Sequence, residues 1–271
     1  MGDGRERAVE LPLSGRSIVV TRSAEQVASL ADPLVALGAE VLALPVIEIA
    51  DPQDWAPADE AIEHISSYDW VVLTSANGVD RLDARMCVHG MRLGDLKART
   101  AVVGSATAKR LREFGLEPAA VPEHFRAEGL VVSLREAGLR AGARVLVPRA
   151  AEAREVLPDE LRALGAVVDV VPVYRLASVT PPADLLARVA GGGVDAIVFA
   201  SGGTARRFVD ALEAAGFDGQ RTLDGIAVVS IGPVTTAALA GLGIAVAAEA
   251  SSSTSEALVE TLVGLFVKGI R

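Results

Sequence analysis

Short, wholly apolar runs alternate along the chain with stretches in which apolar residues recur every three or four positions, and the apolar runs end in small hydroxyl, amide or glycine residues. Val71-Val72-Leu73 runs into Thr74-Ser75-Ala76-Asn77-Gly78, and Ile197-Val198-Phe199 into Ala200-Ser201-Gly202-Gly203. Such a run reads as a buried strand that delivers the chain to a helix N-terminus, where Ser or Asn caps the first N–H groups. Ser17 to Thr21 predicts another strand, Ser23 a cap, and Val27, Leu30, Leu34 and Leu37 one face of the helix that follows. Pro33 inside that helix predicts a kink or a division, and Gly38 predicts its end, ahead of a strand over Val41 to Leu44. Asp51 to Pro57, Ala177 to Pro182 and Gly191 to Gly193 read as loops. Continuous apolar strands alternating with helices imply an α/β fold whose parallel sheets are flanked by helices. Ligands of such sheets bind beyond the carboxyl ends of the strands.

The pattern repeats itself at an offset near 127 residues. Val19-Val20-Thr21-Arg22 matches Leu146-Val147-Pro148-Arg149, Leu37-Gly38-Ala39 matches Leu164-Gly165-Ala166, and Pro45-Val46 matches Pro172-Val173. Asp69 to Ser75 matches Asp195 to Ser201 at 126, and Val103-Gly104-Ser105-Ala106-Thr107 matches Ile231-Gly232-Pro233-Val234-Thr235 at 128. A duplication in this order predicts two similar lobes with no long linker between them.

Bulk properties narrow the function classes. Of 271 residues 51% are hydrophobic, enough for a sizeable core, and 26 basic against 35 acidic residues give a net charge of −9, the wrong sign for holding nucleic acid by its phosphates. The single Cys87 excludes an intrachain disulfide, and His64, His89 and His124 have no zinc-ligand spacing. Ile226 to Ala248 carries no charge, but Gly232-Pro233, Gly241 and Gly243 interrupt it, so it reads as strand, short helix and strand, not a membrane span. Met1 to Arg7 mixes charges with no apolar segment behind it, so no secretory signal is expected and the cytoplasm is the expected location.

Four strand-to-helix turns have the makings of anion sites: Thr74-Ser75-Ala76-Asn77-Gly78, Gly104-Ser105-Ala106-Thr107, Ser201-Gly202-Gly203-Thr204 and Gly232-Pro233-Val234-Thr235. Small residues let a ligand approach the backbone, and hydroxyls and N–H groups supply donors. Any one alone reads as a helix cap; four, paired by the duplication, point to a shared ligand surface. Arg22 and Arg149 end equivalent strands and Arg175 follows Tyr174 at another; each reads equally as a carboxylate ligand or a solvated arginine. Tyr174, one of two tyrosines, reads as a core or rim residue, or as a phenol that hands a proton to a leaving group. No dinucleotide, P-loop or hydrolase-elbow motif is present.

Taken in order from about residue 16 to 262, these pieces, with Pro45-Val46-Ile47-Glu48, Ala127-Glu128-Gly129-Leu130 and Val173-Tyr174-Arg175, resemble the uroporphyrinogen-III synthase family. The resemblance implies two lobes, residues 1–47 plus 173–271 and residues 48–172, joined by a two-strand hinge. It implies an enzyme of heme biosynthesis, a hydro-lyase without metal or organic cofactor. The reaction closes hydroxymethylbilane through a spiro intermediate, with loss of water and inversion of the last pyrrole ring. By the same resemblance Tyr174 is the proton donor to the leaving hydroxyl, and the turns of Ser75, Thr107, Ser201 and Thr235 bind the carboxylates, largely through main-chain N–H groups. The expected substrate-binding set is then Arg22, Thr74, Ser75, Ser105, Thr107, Arg149, Ser201, Gly202 and Thr235. A monomer that takes a small-molecule substrate from hydroxymethylbilane synthase and binds neither nucleic acid nor membrane is expected. The alternative is a non-catalytic domain of the same fold that senses a tetrapyrrole or another polyanion. Two positions depart from the family pattern: Arg126, where a small hydroxyl residue is usual, and Ser201-Gly202-Gly203, which lacks the common proline.

Overall fold

The computed structural model describes residues 11–122, 127–153 and 155–267; the readings placed on Met1 to Arg7, His124 and Arg126 lie outside the described residues. Along the chain run β1 (Ser17–Val20), α1 (Ala24–Ala36), β2 (Glu40–Ala43), β3 (Ile47–Ala50), α2 (Ala56–Glu63), β4 (Trp70–Leu73), α3 (Ala76–Val88), β5 (Arg99–Val102) and α4 (Ser105–Glu113). Then follow α5 (Ala127–Glu136), β6 (Arg144–Ala150), α6 (Val156–Ala163), β7 (Val167–Ser178), α7 (Ala183–Ala190), β8 (Ala196–Phe199) and α8 (Gly202–Ala214). The last described elements are α9 (Gly219–Leu223), β9 (Ala227–Ser230), α10 (Pro233–Gly241), β10 (Ala248–Glu249) and α11 (Ser255–Val267).

Two compact units result, one built from residues up to Glu48 and from Ala177 onward, the other from Ile49–Leu176. The first holds a five-stranded sheet in the order β10-β9-β8-β1-β2, parallel throughout. The second holds β3-β7-β6-β4-β5, with β7, β6, β4 and β5 parallel.

The two sheets have the same order once the repeat is taken into account, because β6 and β7 are the later copies of β1 and β2, while β8 and β9 are the later copies of β4 and β5. Even the edge corresponds: Ala101 bridges Ala120 in parallel where Val229 pairs with Ala248, both 128 residues on. Each repeat therefore gives its first two strands to one unit and its remaining strands to the other. Gly38 and Gly165 repeat too, both at positive φ (94° and 83°), and both end their helices with the next residue bonded back five positions (Ala39 N–H to Leu34 O, Ala166 N–H to Leu161 O). Only a residue without a Cβ takes that conformation at little cost.

Both sheets are buried on two faces, as parallel sheets are. In the first unit Val19, Phe199 and Phe208 pack on one side and Ile18, Val20, Leu30 and Leu34 on the other. In the second, Val71 and Leu73 face α3 while Trp70 and Val72 face α5 and α6. The uncharged segment 226–248 supplies β9, α10 and β10, and among the described residues no helix is long and apolar enough to cross a membrane.

Three expectations are corrected. Pro33 does not divide its helix: α1 runs unbroken across it. Pro33 removes a bond to the carbonyl of Ser29, and both residues lie on the exposed face, where water can serve that carbonyl. Ala177 and Ser178 are strand, and Ala56 and Pro57 belong to α2, where Pro57 suits the first turn. Most important for the site, β7 does not end at Tyr174 but continues to Ser178, so Tyr174 and Arg175 lie within the strand.

Gly202 has a packing role that is plain from geometry. A Cβ there would lie 2.4 Å from the Cβ of Ala238 on α10. We expect Gly202→Ala to push α8 off α10 and cost about 1–3 kcal/mol by overpacking, read as a lower urea midpoint; a midpoint unchanged from wild type would contradict this contact.

Candidate functional site

In a doubly wound sheet the crevice opens where the connections of neighbouring strands leave in opposite directions. In the second unit that point lies between β4, whose chain turns into α3, and β6, whose chain turns into α6. Thr74 and Ser75 stand at the end of one strand and Arg149 at the end of the other. In the first unit it lies between β1 and β8, which places Arg22 and Ser23 beside the Ser201 turn; the Thr21 hydroxyl donates to Val198 O at 3.0 Å and ties the two strand ends together.

Ser75 and Ser201 do the same work at equivalent positions. Each is extended, precedes a 13-residue helix and accepts a hydrogen bond from the helix's third N–H, that of Gly78 at 3.0 Å and Thr204 at 3.1 Å. The Ser201 hydroxyl also pairs with that of Thr204 at 2.8 Å. Ser105 heads α4 behind Gly104, with no side-chain cap. Thr107 and Thr235 are buried residues, and the Thr235 N–H already donates to Gly232 O at 3.0 Å. At α10 the N–H supply is reduced further by Pro233.

The structure brings two of the expected residues into contact. The Tyr174 hydroxyl lies 3.0 Å from the Ser75 hydroxyl, and the residue is 6% exposed. Local sequence explains how it gets there. Pro172 has no N–H for the ladder, and the β6–β7 register slips beside it: Arg149 pairs with Pro172, but Ala150 with Tyr174. This bulge leaves Val173 as the extra residue and lets consecutive side chains, Val173 and Tyr174, both turn into the core. Burial pushes the Tyr174 phenol above its usual value, the Ser75 hydrogen bond pulls it back in part, and the Glu152 carboxylate pushes it up again. Glu152 is held close by Leu176, whose N–H donates to it at 3.2 Å.

The two arginines end up differently. Arg149 is buried and pairs with Glu155. Arg22 donates to the hydroxyls of Ser29 at 3.1 Å and Ser255 at 2.9 Å, while its Nε and the Ser23 hydroxyl are buried without a hydrogen-bond partner. Burial lowers the Arg22 pKa, against the pull of Glu256.

The expected residues thus fall into two groups, Thr74, Ser75, Ser105, Thr107, Arg149 and Tyr174 in the second unit and Arg22, Ser201, Gly202 and Thr235 in the first. Sequence reasoning passed over Glu152 and Glu155, which follow Arg149 by a few residues, and took Ser23 for a simple cap although its hydroxyl caps nothing. Their signal was position: all follow the two strands that flank the crevice. Among the described residues there is no group of three or more His, Cys, Asp or Glu that could hold a metal.

Comparison with known proteins identifies the family and the fold. The family model described as uroporphyrinogen-III synthase HemD matches residues 28–260. A uroporphyrinogen-III synthase of Synechococcus elongatus is 36% identical over 230 residues, covering 84% of this chain and 86% of that protein. The fold matches that of a uroporphyrinogen III synthase mutant from Thermus thermophilus with a TM-score of 0.62 at 18% identity, covering 93% of this chain and 99% of the other. It likewise matches a uroporphyrinogen-III synthetase from Helicobacter pylori with a TM-score of 0.56 at 18% identity, covering 92% and 99%. Its doubled sheets, donor-bearing turns and match over most of its length place this chain in the uroporphyrinogen-III synthase family, the cyclising lyases of porphyrin biosynthesis.

Proposed function

We propose that Tyr174 is the acid that lets the terminal hydroxyl of hydroxymethylbilane leave, and that the strand-end turns hold the substrate's carboxylates. The observation that carries this reading is the buried Tyr174–Ser75 pair at 3.0 Å, placed beside a sheet bulge at the crevice of the second unit. As the electron-rich pyrrole expels the hydroxyl, the C–O bond breaks with its electron pair on oxygen, and that oxygen takes the Tyr174 proton and departs as water. Even a phenol raised by burial is a far stronger acid than water, whose pKa is about 15.7, so the transfer runs downhill once the bond has parted. The Ser75 hydroxyl then donates to the phenolate. The substituted carbon of the last pyrrole attacks the cation through the spiro intermediate. The proton shed when the rearranged ring regains its double bonds restores Tyr174, and Glu152 lends negative charge near the cation.

Binding falls to Arg22, Ser201, Gly202 and Thr235 in one unit and to Thr74, Ser75, Ser105, Thr107 and Arg149 in the other. Small residues and first-turn N–H groups suit acetate and propionate oxygens. Arg149 takes its carboxylate in exchange for exposed Glu155. Holding the two ends of a flexible chain in place accounts for much of the rate, since oriented intramolecular closures gain about 7 kcal/mol or more. We further propose a monomer acting in the cytoplasm on substrate received from hydroxymethylbilane synthase.

The raised phenol supplies the test. A required proton on Tyr174 is retained at pH values where an ordinary tyrosine has lost half of its own. The alkaline fall in kcat should therefore lie above pH 10, the usual phenol value being about 10. An alkaline limb below that value, or one unchanged in Tyr174→Phe, would show that another group titrates.

A further inference from the structure

Duplication gives this chain two equivalent strand-end arginines, but the substrate's two ends are chemically different, and the surroundings of the arginines differ correspondingly. At the end of β6, Arg149 is held by Glu155, an exposed carboxylate of the same chain. The position equivalent to Glu155 in the first repeat, 127 residues earlier, is Ala28, which carries no charge. At the end of β1 the Arg22 Nε is enclosed without an acceptor, and so is the hydroxyl of Ser23, which is 1% exposed. The residue equivalent to Ser23 is Ala150, so the second repeat has no such hydroxyl. Buried donors are rarely left unpaired, and two adjacent ones at the crevice of a doubly wound sheet are the mark of a missing partner.

Resting on the reading of the chain as a synthase, we infer that the enclosed donors of Arg22 and Ser23 form a subsite for one acetate or propionate carboxylate, whereas Glu155 fills the duplicate subsite at Arg149 until a carboxylate displaces it. The first unit then anchors an unreactive part of the bilane at once. Occupation of the second unit, where Tyr174 lies, requires an exchange of carboxylates. The hydroxyls of Ser29 and Ser255, both bonded to Arg22, keep the guanidinium plane fixed for that ligand. A planar guanidinium takes a carboxylate through two parallel bonds, and Nε is one of the donors that can do so.

Steady-state kinetics with freshly generated hydroxymethylbilane separates the two subsites. Arg22→Gln should raise KM about tenfold or more with kcat within about threefold, and Ser23→Ala should raise KM about threefold, as fits loss of bonds to a charged ligand. Glu155→Gln should lower KM, because the Glu155 charge then no longer competes with the substrate for Arg149. Should Arg22→Gln fail to fold, Ser23→Ala and Glu155→Gln decide the matter alone. Wild-type KM in Ser23→Ala together with a raised KM in Glu155→Gln would overturn the inference while type III product still formed. Absence of type III product from the wild-type protein would instead strike the reading on which the inference rests.

Discussion

Tyr174→Phe should slow formation of the type III product by about 100-fold, the lower end of what a positioned acid contributes, which corresponds to roughly 2.7 kcal/mol of barrier. Phenylalanine fills the same buried space, so the bulge, the strand and the fold persist and the loss is chemical. Ser75→Ala should cost less, about tenfold, because the serine only supports the phenolate and the ordering of the substrate survives. The Gly78 N–H would lose its cap acceptor as well, a loss of about 1 kcal/mol to the protein. Rate constants for the two variants under saturating substrate decide the point. Equal, near-wild-type values would remove the proton-donor role.

The second large effect is on stability. Phe199 is fully buried at the end of β8, just before the Ser201 turn, and meets Phe208 of α8 edge to face with ring centroids 5.6 Å apart. Phe199→Ala deletes the ring from a close-packed core cluster and should cost about 3–5 kcal/mol. Because a domain's whole stability is only about 5–15 kcal/mol, such a variant is expected to unfold at a much lower urea concentration by far-UV circular dichroism. Loss of less than about 1 kcal/mol would mean that the core repacks, against the usual cost of such a deletion. The same change should loosen the Ser201 turn, since Phe208 lies on the helix that Ser201 caps.

Much of this organisation is legible in the chain. The parallel strands show as uninterrupted apolar runs, the helix ends at Gly38 and Gly165 as glycines at one offset, and the caps at Ser75 and Ser201 as hydroxyls after such runs. Periodicity reports which face of an element is buried, and burial is a local property of residue type. The bulge at Pro172 is a different matter. It depends on which β6 residue stands opposite, so only the paired strands reveal that Tyr174 lies inside β7 and turns toward Ser75. The fate of the two arginines is likewise set by neighbours distant along the chain. Arg22 meets Ser255 from 233 residues away, and no spacing rule links them. Pro33 does not divide its helix, although it removes a bond to the carbonyl of Ser29, because both residues lie on the exposed face of α1.

The most direct test of the account is to supply freshly made hydroxymethylbilane to the purified protein, oxidise the products and separate type I from type III uroporphyrin. The account predicts type III in proportion to the protein added, and type I, the product of spontaneous closure, rising in its place with Tyr174→Phe. Well-folded wild-type protein that yields only type I would contradict it.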